Sequence, residues 1–172
     1  MADQALLTEI SGIVANTVVE TFNGMFGQSV VTATVNSMAP ESRGKTSVCL
    51  VLKNEKGLPA KFYFSFDDRM LSLTALNFFA AEMSADPAVR NDIACAVANI
   101  VGTKVKNCLN GHGHRFEMTF PYAVGQADIE NSQNALYLHF AYNDRQGRMN
   151  DTGLVVNFLL KEQRTAGGEY LH

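Results

Sequence analysis

The sequence predicts an α+β domain in which long helices pack on an antiparallel sheet, and three observations carry that expectation. Apolar residues recur at helical spacing in two long stretches, 4–26 and 87–109. Short runs that alternate apolar and polar residues between turn signals read as strands. The two helical stretches also repeat one another in pattern, so the fold reads as a pseudo-two-fold helix-plus-strands repeat.

In the first helix Leu7, Ile10, Ile13, Val14, Val18, Phe22 and Met25 mark the apolar stripe, and Gly27 is placed to stop it. Residues 29–37 (SVVTATVNS) alternate as a strand and lead to Pro40. Strands at 46–54 and 60–66 flank the turn signal NEKGLP, which makes them a hairpin. Residues 69–83 follow as a second helix, with Asp67 or Asp68 available as N-cap. Asp86-Pro87 opens the third helix, a capping Asp followed by Pro at the first helical position, and Asn110-Gly111 closes it. Residues 115–120 form a strand ending at Pro121; 135–144 and 151–162 form two longer strands joined by RQGRMN, an exposed loop. Residues 164–172 read as a frayed tail. A chain of 172 residues suits one core, and no polar linker divides it. Residues 1–172 are therefore read as a single domain, with 1–83 and 84–165 as its pseudo-repeat halves.

Composition narrows the function. The formal charge of −3 argues against nucleic-acid and polybasic membrane binding, since both need clustered Lys and Arg. The first residues lack a basic region followed by a long apolar run, and no stretch approaches about 18 unbroken apolar residues, so no membrane insertion is expected. Cys49, Cys95 and Cys108 are odd in number and not spaced as a metal knuckle, which suggests a reducing, cytoplasmic setting with buried structural thiols. His112 and His114 lie in a glycine-rich turn, but no nearby Cys or acidic cluster completes a ligand set, so no metal site is expected. There is no phosphate-cradling glycine motif and no G-x-S-x-G. The aromatic run KFYFSF is expected to face the core at alternate positions.

The internal repeat is the most informative feature. EISGIVANTV (9–18) and DIACAVANIV (92–101) align at a constant offset, since 92 − 9 and 99 − 16 both equal 83. Each helix is followed by a glycine-marked end, a strand and a proline, Pro40 or Pro121. Glu9, Ile13 and Asn16 thus correspond to Asp92, Ala96 and Asn99, and in either helix the i, i+4, i+7 spacing puts the three on one face. Chance similarity between two helices rich in Ala and Val is the competing reading. By residue type alone, Asn99 is either a surface or packing amide or an insert offered to a partner. Asp92 is either a contact residue or an acid favoured by the helix dipole.

At these residues the chain resembles the CheC/CheX family of chemotaxis phosphatases. That family's signature is an acidic or Ser residue, three spacers, Glu, two spacers, Asn, and a proline some twenty residues on. Asp92 takes the first place, Asn99 the Asn place and Pro121 the proline place, and ANIVGTKVKNCL is similar to the family's small-residue run. VANTVVETFNGMFG resembles the opening helix of CheX, and the order of elements fits CheX over almost the whole chain. The departure is Ala96, where the family has Glu; the matching place in the first helix is Ile13.

The resemblance implies a protein that docks on a phosphorylated CheY-type receiver domain and promotes hydrolysis of its aspartyl phosphate. The Asn would enter the receiver's active site and position the attacking water, while the family's Glu pairs with a receiver lysine, a contact Ala96 cannot make. Asp92, Ala96 and Pro121 then belong to the docking face and Asn99 is the catalytic residue. Glu9, Asn16 and Pro40 would form a degenerate second site, with Asn16 more structural than functional. No cofactor of its own is implied, since Mg²⁺ sits on the receiver. A homodimer joined through sheet edges of the long C-terminal strands is also implied. The alternative is a non-catalytic scaffold on the same fold, like the middle domain of the flagellar switch protein FliM.

Overall fold

Every second residue of the long strands is apolar and faces the helices, and this alternation builds the main core. The computed structural model describes residues 4–36, 45–54, 59–129 and 136–160. The elements are α1 (Gln4–Glu20) with a π turn (Thr21–Met25), β1 (Val30–Asn36), β2 (Lys45–Asn54), β3 (Pro59–Asp67), α2 (Asp68–Ala75), α3 (Ala81–Ser84), α4 (Pro87–Gly111), β4 (Phe116–Met118), β5 (Tyr122–Ala123), β6 (Leu136–Asn143) and β7 (Met149–Leu160). Pro40, the 55–58 turn and the 164–172 tail lie outside the described residues.

The seven strands of the described residues join one sheet in the order β1-β6-β7-β3-β2-β4, with β5 also on β2. Each recorded pairing is antiparallel. The order reads the same from either end once β1, β2 and β3 are exchanged for β4/β5, β6 and β7. This is the pseudo-two-fold repeat, with β3 and β7 paired at its centre, Phe62 opposite Phe158 and Phe64 opposite Val156. Leu50, Phe62, Phe64, Phe140 and Phe158 point to the helix side. Cys49, Val51, Tyr63, Tyr137, Val155 and Leu159 form a second buried cluster, with Val124 and Ile129 packed on it.

Three sequence expectations are corrected. The first helix does not run evenly to its end: Phe26 N–H bonds back to the Thr21 carbonyl at 3.1 Å, five residues earlier, and Gly27 at φ 63° turns the chain out. The second helix breaks in two at 76–80, where Asn77 donates to the Phe26 carbonyl at 2.7 Å and Phe78 packs edge-on to Phe26. Tertiary contacts there override a continuous helical pattern. Among the described residues the C-terminal strands are not sheet edges, because β6 lies between β1 and β7, and β7 between β6 and β3; the edges there are β1 and β4/β5.

The strand expected at 115–120 shortens to β4, and a further short strand, β5, follows it on β2. Pro121, which has no N–H to give, stands between them. Thr119 keeps the edge continuous, its N–H donating to the Val51 carbonyl at 2.9 Å. The expected helix caps are in place: Asp67 accepts from Arg69 N–H at 3.0 Å and Asp86 from Ala88 N–H at 2.9 Å.

By length and composition 4–25 would also suit a membrane-crossing helix. Its apolar stripe is used on the sheet, with Ile10, Val14, Val18 and Phe22 all buried. Helix α4 lies on β2 and beside α1, and buries Ala94, Val97, Ala98, Val101, Gly102 and Val105. A side-chain carbon added at Gly102 would collide with Leu50 and lie 2.8 Å from Met118 Sδ. Hence glycine sets how closely α4 approaches the sheet. Gly102→Val should lower stability by about 1–3 kcal/mol, the usual range for overpacking a full core; urea unfolding followed by circular dichroism measures it.

Candidate functional site

With one stripe of α4 buried in the core, the opposite stripe lies toward the surface. Asp92 is exposed, and Ala96 and Asn99 are half-buried, on that outward side. The backbone carbonyl of Asn99 accepts from Thr103 Oγ1 at 2.8 Å. Among the described residues no hydrogen bond to the Asn99 side-chain amide is found, so its donor and acceptor both remain available.

Pro121 comes to the same helix from the sheet edge. The Cys95 thiol contacts the Pro121 carbonyl at 4.0 Å and the Asn91 amide at 3.9 Å, long contacts that place Pro121 against the turn carrying Asp92 and Ala96. Phe120 and Tyr122 flank it, 88% and 48% exposed. Burial, and after it the charge of Asp92, push the Cys95 thiol above its ordinary value. The structure thus brings Asp92, Ala96, Asn99 and Pro121 to one region. The exposed Phe120 was missed in the sequence, where it reads as the last residue of a strand.

The matching face of α1 is arranged differently. Asn16 is exposed, and Ile13 is half-buried and packs against the main core. Glu9 is engaged, its carboxylate meeting His112 Nε2 at 2.9 Å and accepting from Cys108 Sγ at 3.4 Å. This corrects the reading of His112 as a histidine with no Cys or acid nearby. The i, i+4 spacing of Cys108 and His112 was a signal in the sequence; the approach of Glu9 depends on α1 packing beside α4. The thiols differ from expectation too. Only Cys49 is buried, while Cys95 and Cys108 are half-buried. Burial, then hydrogen bonding to Glu9 and its charge, raise the Cys108 thiol as well.

A cleft of about 520 Å³ lies at the other end of α4, lined by Asn110, His114, Arg115, Phe116 and Lys53 among others. It does not include the Asn99 face.

No protein-family model and no curated protein sequence matches the chain. Solved structures do. The chemotaxis protein CheX of Vibrio vulnificus superposes with a TM-score of 0.67 at 14% identity, over 89% of this chain and 99% of that one. CheX of Borrelia burgdorferi, solved as a complex with CheY, BeF3 and Mg²⁺, gives 0.57 at 15% identity over 89% and 98%. The FliM middle domain of Vibrio alginolyticus gives 0.53 at 13% identity over 90% and 93%. At these identities the likeness is one of fold.

Cys95 offers a chemical report on this face. A raised thiol carries less thiolate at a given pH, so Cys95 should react with iodoacetamide more slowly at pH 8 than an unfolded-peptide cysteine. Asp92→Asn should speed that reaction modestly, because burial, the larger cause, remains. Mass-spectrometric alkylation rates check both expectations.

Proposed function

We propose that this chain, which carries the CheC/CheX fold, binds phosphorylated CheY-type receiver domains and promotes hydrolysis of their aspartyl phosphate. The observation that carries this reading is the unpartnered amide of Asn99, beside Asp92 and Pro121, on the open side of a helix whose other side is locked to the sheet. The solved complex of the Borrelia burgdorferi CheX with CheY supports the class of partner.

The chemistry asks little of the visiting protein. A receiver's own Mg²⁺ and lysine neutralise the phosphoryl charge, so what is missing is a water held in line with the bond that breaks. An amide can accept from that water and donate to a phosphoryl oxygen at once, and it does not titrate near neutrality. Water attacks phosphorus, the bond from phosphorus to the aspartate oxygen breaks, and the carboxylate leaves as its anion. The water's proton passes to phosphate. Asn99 positions; the receiver supplies the metal, so this chain requires no cofactor of its own.

Ala96 sets the limit on efficiency. Without a carboxylate at this place the complex lacks one charge-assisted contact to the receiver lysine. Asp92, one turn earlier and exposed, is the acid closest in sequence on this face that can replace it. Docking is therefore weaker than the family pattern implies, with the water-positioning step retained. The setting we propose is cytoplasmic and the protein homodimeric, with the dimer formed elsewhere than at β6 and β7.

A scaffold without catalysis is the second reading. It is favoured by the missing carboxylate in both helices, Ala96 in α4 and Ile13 in α1, and by the fold likeness to the FliM middle domain. The decay of a phosphorylated receiver separates the two. Wild-type protein should accelerate decay, and Asn99→Ala should reduce the acceleration about a hundredfold, the usual loss when a reacting group is misplaced. Ala96→Glu should raise activity at low protein concentration. Binding with no change in decay for either protein would support the scaffold.

A further inference from the structure

The last turn of α4 assembles a second set of chemical groups, independent of the receiver-binding reading. Cys108, in the last turn of α4, and His112, just past its end, stand one turn apart and face α1, where Glu9 meets them both. One ligand atom from each of the three residues lies within 4.8 Å of the others. We propose that Glu9, Cys108 and His112 form a site for a zinc-class divalent cation that clamps α1 to the end of α4.

The donor set selects the metal class. A thiolate and an imidazole are poor ligands for Mg²⁺ or Ca²⁺, which take oxygen, while thiolate, imidazole and carboxylate are all zinc ligands. Zinc bonds of about 2.0 Å to N or O and about 2.3 Å to S, at tetrahedral angles, separate these ligand atoms by about 3.3–3.5 Å. One Glu9 oxygen lies 2.9 Å from His112 Nε2, the other lies 3.4 Å from Cys108 Sγ, and the three ligand atoms all fall within 4.8 Å of one another. An ion therefore needs them to close by roughly 1 Å at most. The two contacts with Glu9 are hydrogen bonds in the metal-free chain; coordination replaces them, and the Cys108 thiol releases its proton to solvent. A thiolate and a carboxylate then balance the two positive charges. Side chains of His112 and Glu9 are 51% and 46% exposed, which leaves the fourth position open to water and gives the ion a way in.

The clamp has a structural consequence. Its ligands come from α1 in the first half of the repeat and α4 in the second, so one ion would join the two. On α4 it sits nine to thirteen residues beyond Asn99, about 14–20 Å along the helix, too far to touch the receiver-binding region directly.

Cobalt provides the test, because a cobalt–thiolate bond gives a charge-transfer band in the near ultraviolet. The full chain, stripped of metal with a chelator, should bind one Co²⁺ with that band, lose the band on adding Zn²⁺, and melt at a higher temperature with Zn²⁺ present. Cys108→Ser should abolish the band, Cys95→Ser should keep it, and Glu9→Gln and His112→Ala should each weaken Co²⁺ by about tenfold or more. Equal melting temperatures of metal-free wild type and Cys108→Ser would establish that the variant is folded. If it is not, retention of the band in Cys95→Ser and its weakening in His112→Ala carry the test. No band in wild type, a band that survives in Cys108→Ser, or a melting temperature unmoved by Zn²⁺ would overturn the proposal.

Discussion

The seating of α4 on β2 is the constraint from which the rest of the molecule follows. A helix this long can be held at one height above a sheet only if the residues beneath it are small where the strands are tall. Ala94, Ala98 and Gly102 supply the small positions, and at Gly102 the Leu50 side chain occupies the space a larger residue would need. Because the buried stripe is fully used, the rotation of α4 about its axis is set. The direction in which Asn99 points is set with it. A rotation large enough to bury Asn99 would bring Asp92 toward the core and lift Val97 and Val101 into solvent, which burial of apolar surface strongly opposes.

The same arrangement explains why the two halves, alike in plan, differ in chemistry. The sheet order is symmetric about β3 and β7, and α1 and α4 pack side by side on it. On α4 the three repeat positions carry an exposed acid, a small residue and a free amide. On α1 the middle position is Ile13, used for packing, and the acid is bound to the last turn of α4. A face that holds its neighbouring helix in this way is poorly placed to receive a second protein. The chemistry of the two faces is asymmetric although the frame is symmetric.

Much of the fold was legible in the sequence because it depends on local rules. Asp86-Pro87 and the Asp67 cap opened their helices where capping chemistry requires, and the Phe62, Phe64, Phe66 alternation placed the aromatic run in the core. What escaped depended on long-range contacts. The break at 76–80 needs Phe26, some fifty residues away, and no local pattern announces it. The interior place of β7 follows from strand order, which periodicity does not contain. The second buried cluster was hidden because Cys49, Tyr63 and Tyr137 sit at positions that alternation assigns to solvent. At the candidate site, the repeat offset pointed to Asp92, Ala96 and Asn99 together. Phe120 and the meeting of Glu9 with Cys108 and His112 required the packed helices.

The central claim is that the Asn99 stripe of α4, and not the matching stripe of α1, is the surface that meets a receiver. Nuclear magnetic resonance of the isotope-labelled chain, titrated with a CheY-type receiver activated by beryllofluoride and Mg²⁺, tests it most directly. The account predicts that the backbone signals of Asp92, Ala96 and Asn99, with those of Phe120 and Tyr122, shift on binding while those of Glu9, Ile13 and Asn16 stay in place. Shifts confined to α1 or to the sheet edge β1, with Asn99 unmoved, would contradict it.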